Sequence, residues 1–134
     1  DQAATGKSLL NSACRIYQEI AKIAQVARGS AALRFGRMYY REISGDGEHF
    51  GLPFGIDYTL AFARVLYGHE VLVAYNVSAA ARHDRVIVDA TLHKPGDKLR
   101  FLFGKTGEIE VRQAASGARF VQLDLAPHQF VILE

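Results

Sequence analysis

The feature that most limits how this chain can fold is a change of hydrophobic period at Gly36. Before it, Ile16, Ile20, Ile23 and Ala27 recur at i, i+4, i+7 and i+11, with Tyr17 and Ala24 on the same side and Gln18, Lys22 and Gln25 opposite. That spacing predicts one amphipathic helix over Ile16–Ala27. Ser12 is placed to cap its start, and Gly29 to end it in a left-handed conformation. Beyond Gly36 the period falls to two, the period of a strand. A single helix must bury its apolar stripe somewhere, so it packs on the sheet or on a partner.

The strand-period runs are Arg37–Ile43, Tyr58–Leu66, Glu70–Val77, Arg85–Val88, Lys98–Phe103, Glu108–Arg112, Arg119–Leu125 and Gln129–Leu133. Tyr67-Gly68-His69 reads as a tight hairpin turn, and Pro95-Gly96-Asp97, Gly104-Lys105-Thr106-Gly107 and Ser116-Gly117 as further turns. In Val121, Leu123 and Leu125 the alternation with Gln122 and Asp124 puts one face in the core and one in water. About eight short strands with such turns predict a mainly β fold, an antiparallel sandwich with Greek-key-like connections, preceded by the helix. Residues 1–36 are then a tail, helix and link, and residues 37–134 an all-β domain. Ser44–Asp57, with four glycines and one proline, is expected to be a long loop.

Composition narrows the function classes. Sixteen Lys and Arg interleave with fourteen Asp and Glu for a net charge of +2, and no basic run reaches five, so nucleic acid is not an expected partner. No apolar stretch approaches the roughly 20 residues of a membrane span. Residues 1–12 lack the apolar core of a signal peptide. The one cysteine, Cys14, cannot form an internal disulfide, which suits a cytoplasmic protein without excluding secretion. Asn76-Val77-Ser78 matches a glycosylation sequon.

Motifs that could carry chemistry are few. Asp46, Glu48 and His49 could together ligate a hard cation, but they do not match an EF-hand, and no metal is expected. Gly104-Lys105-Thr106 ends like a phosphate loop. The earlier glycine is missing, since that place is Leu99, and a strand follows where a helix is needed. No cofactor is therefore expected. Glycoside hydrolysis needs two carboxylates on opposite sides of a sugar. Here Glu42, Asp84, Asp89, Glu108, Glu110 and Asp124 lie at turns or are expected to point outward. The five histidines (His49, His69, His83, His93 and His128) are isolated, without zinc-ligand spacing. Sugars stack on exposed aromatic rings. With six Tyr and no Trp, the candidates are Tyr39, Tyr40, Tyr58 and Tyr67. Tyr39 and Tyr40 are adjacent on one strand, so the pleat sends them to opposite faces.

Three segments resemble the end of α-amylase-family glycoside hydrolases. Ile16-Tyr17-Gln18-Glu19-Ile20-Ala21 with Ala32-Leu33-Arg34-Phe35-Gly36 is similar to the last barrel helix and its link. Thr59-Leu60-Ala61-Phe62-Ala63-Arg64 with Glu70-Val71-Leu72-Val73-Ala74-Tyr75-Asn76-Val77-Ser78 resembles the central hairpin of the C-terminal domain. Leu125-Ala126-Pro127-His128-Gln129-Phe130-Val131-Ile132-Leu133-Glu134 resembles the closing strand pair. The link departs from the family, which usually carries a proline where Ser30-Ala31 stands here.

The resemblance implies the C-terminal β-sandwich (domain C) of such an enzyme together with its last barrel helix. It also implies that the catalytic Asp, Glu and Asp belong to barrel strands with no counterpart here, so no glycosidase activity is expected of this chain alone. The implied partner is the catalytic barrel of the parent, contacted through Ile16, Ile20, Ile23, Ala27, Leu33 and Phe35. The other expected readings are a carbohydrate-binding module taking an α-glucan, a homodimer through the helix, and a sandwich for protein–protein contact.

Overall fold

A computed structural model of the chain describes residues 15–134. Among the described residues, two helices, α1 (Arg15–Gly29) and α2 (Ala31–Phe35), precede ten strands. These are β1 (Arg37–Tyr40), β2 (Ile43–Ser44), β3 (Thr59–Leu66), β4 (His69–Asn76), β5 (Arg82–Val88), β6 (Lys98–Phe103), β7 (Glu108–Glu110), β8 (Arg112–Gln113), β9 (Arg119–Leu125) and β10 (Phe130–Leu133). They form two antiparallel sheets, one ordered β1-β3-β4-β10-β6-β7 and one ordered β2-β5-β9-β8. The last strand returns to lie beside β4, a Greek-key-type connection.

Ten strands replace the expected eight because two runs change sheet midway. In Arg37–Ile43, β1 pairs with β3, and the chain crosses at Arg41–Glu42 so that β2 pairs with β5. In Glu108–Arg112, β7 pairs with β6 and β8 with β9. Fully buried Val111 sits between them, its N–H donating to Asp97 O at 2.8 Å. Such strands make the corners of a sandwich. Their side chains keep alternating through the corner, which is why the pattern does not show it.

Between the sheets lies one apolar core. Ala61, Ala63, Leu72, Ala74, Leu99, Val131 and Leu133 from the six-stranded sheet meet Val86, Val88, Val121, Leu123 and Leu125 from the other. A second cluster covers the outer face of the six-stranded sheet. There Ala32, with Val26 and Leu33, packs on Val71, Val73 and Ile132. The centre of β4 is therefore buried on both faces, which explains its unbroken apolar run Val71–Ala74.

The helical link also differs from expectation. Gly29 is the last residue of α1 and has no positive φ. Ser30 breaks the helix instead. It is extended (φ −119°, ψ 114°), and its Oγ accepts the Leu33 N–H at 3.3 Å, capping α2. Gly36 then passes close over β3, where a Cβ would stand 2.4 Å from Ala32 O and 3.0 Å from the Val65 backbone. The expected cap at Ser12 lies outside the described residues.

Candidate functional site

The tyrosines singled out for sugar stacking are dispersed. Tyr39 pairs across with Ala63 and Tyr40 with Phe62, so they do face opposite sides. Both are nevertheless exposed, because β1 is an edge strand. The Arg41 guanidinium lies 5.7 Å from the Tyr39 ring. Tyr58 is half-buried just before β3, while Tyr67 stands fully in solvent at the β3–β4 turn. There Tyr67 (φ 49°) and Gly68 (φ 77°) form a two-residue turn that matches strand twist. Nine residues of extended chain separate Tyr58 from Tyr67 by roughly 30 Å. No single platform unites the four.

The helical stripe is divided. Ile23, Ala27 and Leu33 are half-buried, joined by Ala24 and Val26, whereas Ile20 is 57% and Phe35 66% exposed. Ile16 lies outside the residues whose side chains are described. Arg34 stacks its guanidinium 4.8 Å over Phe35. The open apolar surface continues onto β1, where Met38 and Tyr40 share the outer face with Arg64 and Phe62.

In the Ser44–Asp57 loop, Asp46 is occupied by its own backbone. Its Oδ1 accepts the N–H groups of Glu48 (2.8 Å) and His49 (2.9 Å) and the Ser44 hydroxyl (2.8 Å), while Oδ2 meets His49 Nδ1 at 2.8 Å. The backbone and side-chain bonds of His49 hold the Asp46 carboxyl well below its usual range, and Asp46 raises the His49 imidazole in return. Asp46, Glu48 and His49 thus build a turn. Among the described residues no three such side chains gather as metal ligands. The second half of the loop projects Leu52, Phe54 (91% exposed) and Ile56 (85% exposed). A cleft of about 470 Å³ runs beneath it, lined by Phe50, Phe54, Tyr58, His49, Asp57 and Arg82 among others.

Sequence reasoning missed two buried polar groups that close the ends of the sandwich. On β4, Glu70, Leu72, Ala74 and Asn76 share the inner face, so the apolar stripe carries a polar residue at each end. Glu70 is ion-paired with Arg41, accepts the Asp89 N–H at 3.4 Å and lies 3.6 Å from His93 Nε2. At the other end Asp84, expected to point outward, is buried. It accepts from Thr59 Oγ1 (2.7 Å), Arg82 Nε (2.7 Å) and Arg82 Nη2 (3.1 Å). The bonds to Asp84 raise the Arg82 guanidinium. Asn76, fully buried, gives its Nδ2 to the carbonyls of Ala80 (2.8 Å) and Ala126 (3.0 Å). The sequon is closed to modification in the folded chain. The missed signal was parity: Asp84, Val86 and Val88 alternate in phase, as do Glu70 and Leu72.

The histidines are less isolated than the sequence suggested. His49 meets Asp46, His69 meets Glu134 (3.0 Å), His83 meets Asp124 (2.8 Å), and His128 lies 3.4 Å from the Tyr75 hydroxyl. Each is a pairwise tie between elements or within a turn. Glu70 and Asp84 are side chains almost without exposure, each committed to an arginine, and so cannot flank a sugar. The Gly104–Gly107 segment is the β6–β7 turn, with both glycines at positive φ. A Cβ on Gly104 would fall 2.0 Å from Phe130 O.

Solved structures of a debranching enzyme from Nostoc punctiforme are similar to this chain. The native form matches at 20% identity with a TM-score of 0.59, covering 88% of this chain and 21% of that one. A second structure gives 22% identity, a TM-score of 0.57 and coverage of 88% and 21%. An acarbose-soaked structure gives 20%, 0.58, 93% and 21%. The likeness establishes the fold: a helix and β-sandwich spanning about a fifth of the length of those chains. No protein-family model and no curated protein matches the sequence. Among the described residues, no helix is long and apolar enough to cross a membrane.

Proposed function

We propose that this chain is a non-catalytic C-terminal accessory domain of an α-amylase-family enzyme acting on α-glucosidic carbohydrate, and that it stabilises the catalytic barrel of its parent. The observation that carries this reading is the match of nearly the whole chain to a fifth of a debranching enzyme. The open apolar surface of Ile20, Phe35, Met38 and Tyr40 supports it, because an exposed patch beside a well-made core marks a contact site. Incubation with starch, maltooligosaccharides and aryl α-glucosides is expected to release no sugar above buffer. Turnover abolished by one Asp or Glu substitution would overturn the reading.

The cleft under the Ser44–Asp57 loop favours a second reading, a carbohydrate-binding module, since Tyr58 and Phe54 there adjoin Asp57 and Arg82. Calorimetric titration with maltoheptaose separates the two. Weak or absent heat is expected of the accessory domain. A micromolar complex lost in Tyr58→Ala establishes the module.

A further inference from the structure

Asp46 is the only aspartate in the chain that is followed by glycine; the others precede Gln2, Tyr58, Arg85, Ala90, Lys98 and Leu125. An Asp–Gly pair is chemically vulnerable, because glycine has no side chain to shield its backbone nitrogen from the neighbouring carboxyl. The turn nevertheless requires both residues. Gly47 stands at φ 84°, where a Cβ would also lie 3.0 Å from the Arg85 side chain. Asp46 supplies the acceptor for the Glu48 and His49 N–H groups. The same turn ties up both groups that could react. The Gly47 N–H donates to Ser44 Oγ at 2.8 Å, and the Asp46 carboxylate accepts from Ser44, Glu48 and His49.

We propose that Asp46–Gly47 is a latent isoaspartate site, held unreactive by the turn and converted when the loop base opens. In the reaction the Gly47 nitrogen bonds to Asp46 Cγ, and the Gly47 N–H proton leaves with the carboxyl OH as water. The product is a five-membered imide. Water then adds at either imide carbonyl. Opening the Cγ–N bond restores aspartate, whereas opening the original peptide bond leaves the chain running through Cβ and Cγ. Nothing is oxidised or reduced, and the mass is unchanged. Only a protonated carboxyl carries the OH that must leave. The bonds from His49, Glu48 and Ser44 hold the Asp46 carboxyl well below its usual range, so that form is scarce while the turn is closed. Conversion adds a backbone carbon and withdraws Oδ1 from the Glu48 and His49 N–H groups. Ser44, Gly45 and His49 line the cleft beneath the loop, so conversion redraws one of its walls.

Prolonged incubation followed by peptide mapping with isoaspartyl methyltransferase labelling tests this. The folded chain is expected to convert at Asp46 about tenfold or more slowly than the same chain unfolded in urea, because reaction waits on local opening. Ser44→Ala frees the Gly47 N–H and removes one bond to the carboxylate. It is expected to speed conversion of the folded chain by about fivefold, the worth of one hydrogen bond. In urea the variant and the wild type are expected to convert alike. A folded wild type that converts as fast as the unfolded chain overturns the proposal. So does a folded Ser44→Ala chain that melts like the wild type and converts no faster. Ser44 is buried, so where Ser44→Ala melts early, His49→Gln takes its place. That variant loses the imidazole bond to Oδ2, and the same acceleration is expected and the same failure overturns the proposal.

Discussion

The two faces of the six-stranded sheet are built from the same strands but finished differently. The inner face is sealed. Leu72, Ala74, Val131 and Leu133 meet the second sheet, and Glu70 and Asn76 close the stripe with bonded polar groups at both ends. The outer face is covered only in part. Val71, Val73 and Ile132 lie beneath the helices, while Met38 and Tyr40 on the edge strand remain in solvent. A sheet face is covered only where another element reaches it. This chain supplies a full partner for one face and half a partner for the other. The difference separates a face that carries the fold's stability from one left partly open to solvent.

Substitutions along the two faces test that division. The largest loss is expected from Glu70→Gln, which leaves the Arg41 guanidinium buried without its counter-charge. About 3–5 kcal/mol is the usual cost of breaking such a pair, read from urea unfolding. A loss under about 1 kcal/mol would show water entering that end of the sandwich. Next, Leu72→Ala on the inner face is expected to cost about 2–5 kcal/mol, and Ile132→Val under the helices about 0.5–1.5 kcal/mol. Should Ile132→Val cost nothing, the helical cover is loose and the outer face is more open than the structure shows.

The exposed turn at Asp46 gives a smaller effect, visible in pH dependence. The Asp46 carboxyl is lowered, so its contribution is present above its ordinary value of 3.8 and is lost as pH falls through the folded value. The His49 imidazole is raised, so its contribution is complete below 6.5 and is lost as pH rises through the folded value. The loop base is therefore tightest between those two ordinary values. Amide exchange at Glu48 and His49, corrected for intrinsic rates, is expected to be slowest there, and Asp46→Asn is expected to flatten the profile. The smallest effect is expected from Tyr40→Ser on the uncovered edge. Its unfolding free energy should stay within about 0.5 kcal/mol of wild type, because the residue is 62% exposed. A larger loss would mean that the outer face is already covered in the free chain.

Much of the fold was legible because alternation is a direct record of two-sided strands. Val121, Leu123 and Leu125 are buried as their period required, and β3–β4 forms the expected hairpin through Tyr67-Gly68. The sheet changes at Arg41 and Val111 were not legible, because a corner preserves alternation. The candidate surfaces were legible only as residue types. Exposed tyrosines were expected, but Tyr39 and Tyr40 are both in solvent for a reason outside the sequence, the edge position of β1. Leu52, Phe54 and Ile56 were passed over as loop residues, since apolar character alone does not say whether a side chain is buried.

The sequence by itself determined the class of each segment: helix before Gly36, strand after it, and turns at Gly68, Gly96, Gly104–Gly107 and Gly117. These properties depend on residues close in the chain, and local sterics and periodicity record them. Only the tertiary structure decided which strands share a sheet, that β4 is buried on both faces, and that Glu70 and Asp84 turn inward to arginines. Those outcomes depend on partners far apart in sequence, such as Arg41 with Glu70 and Thr59 with Asp84. A buried charge is stable only where a distant residue meets it.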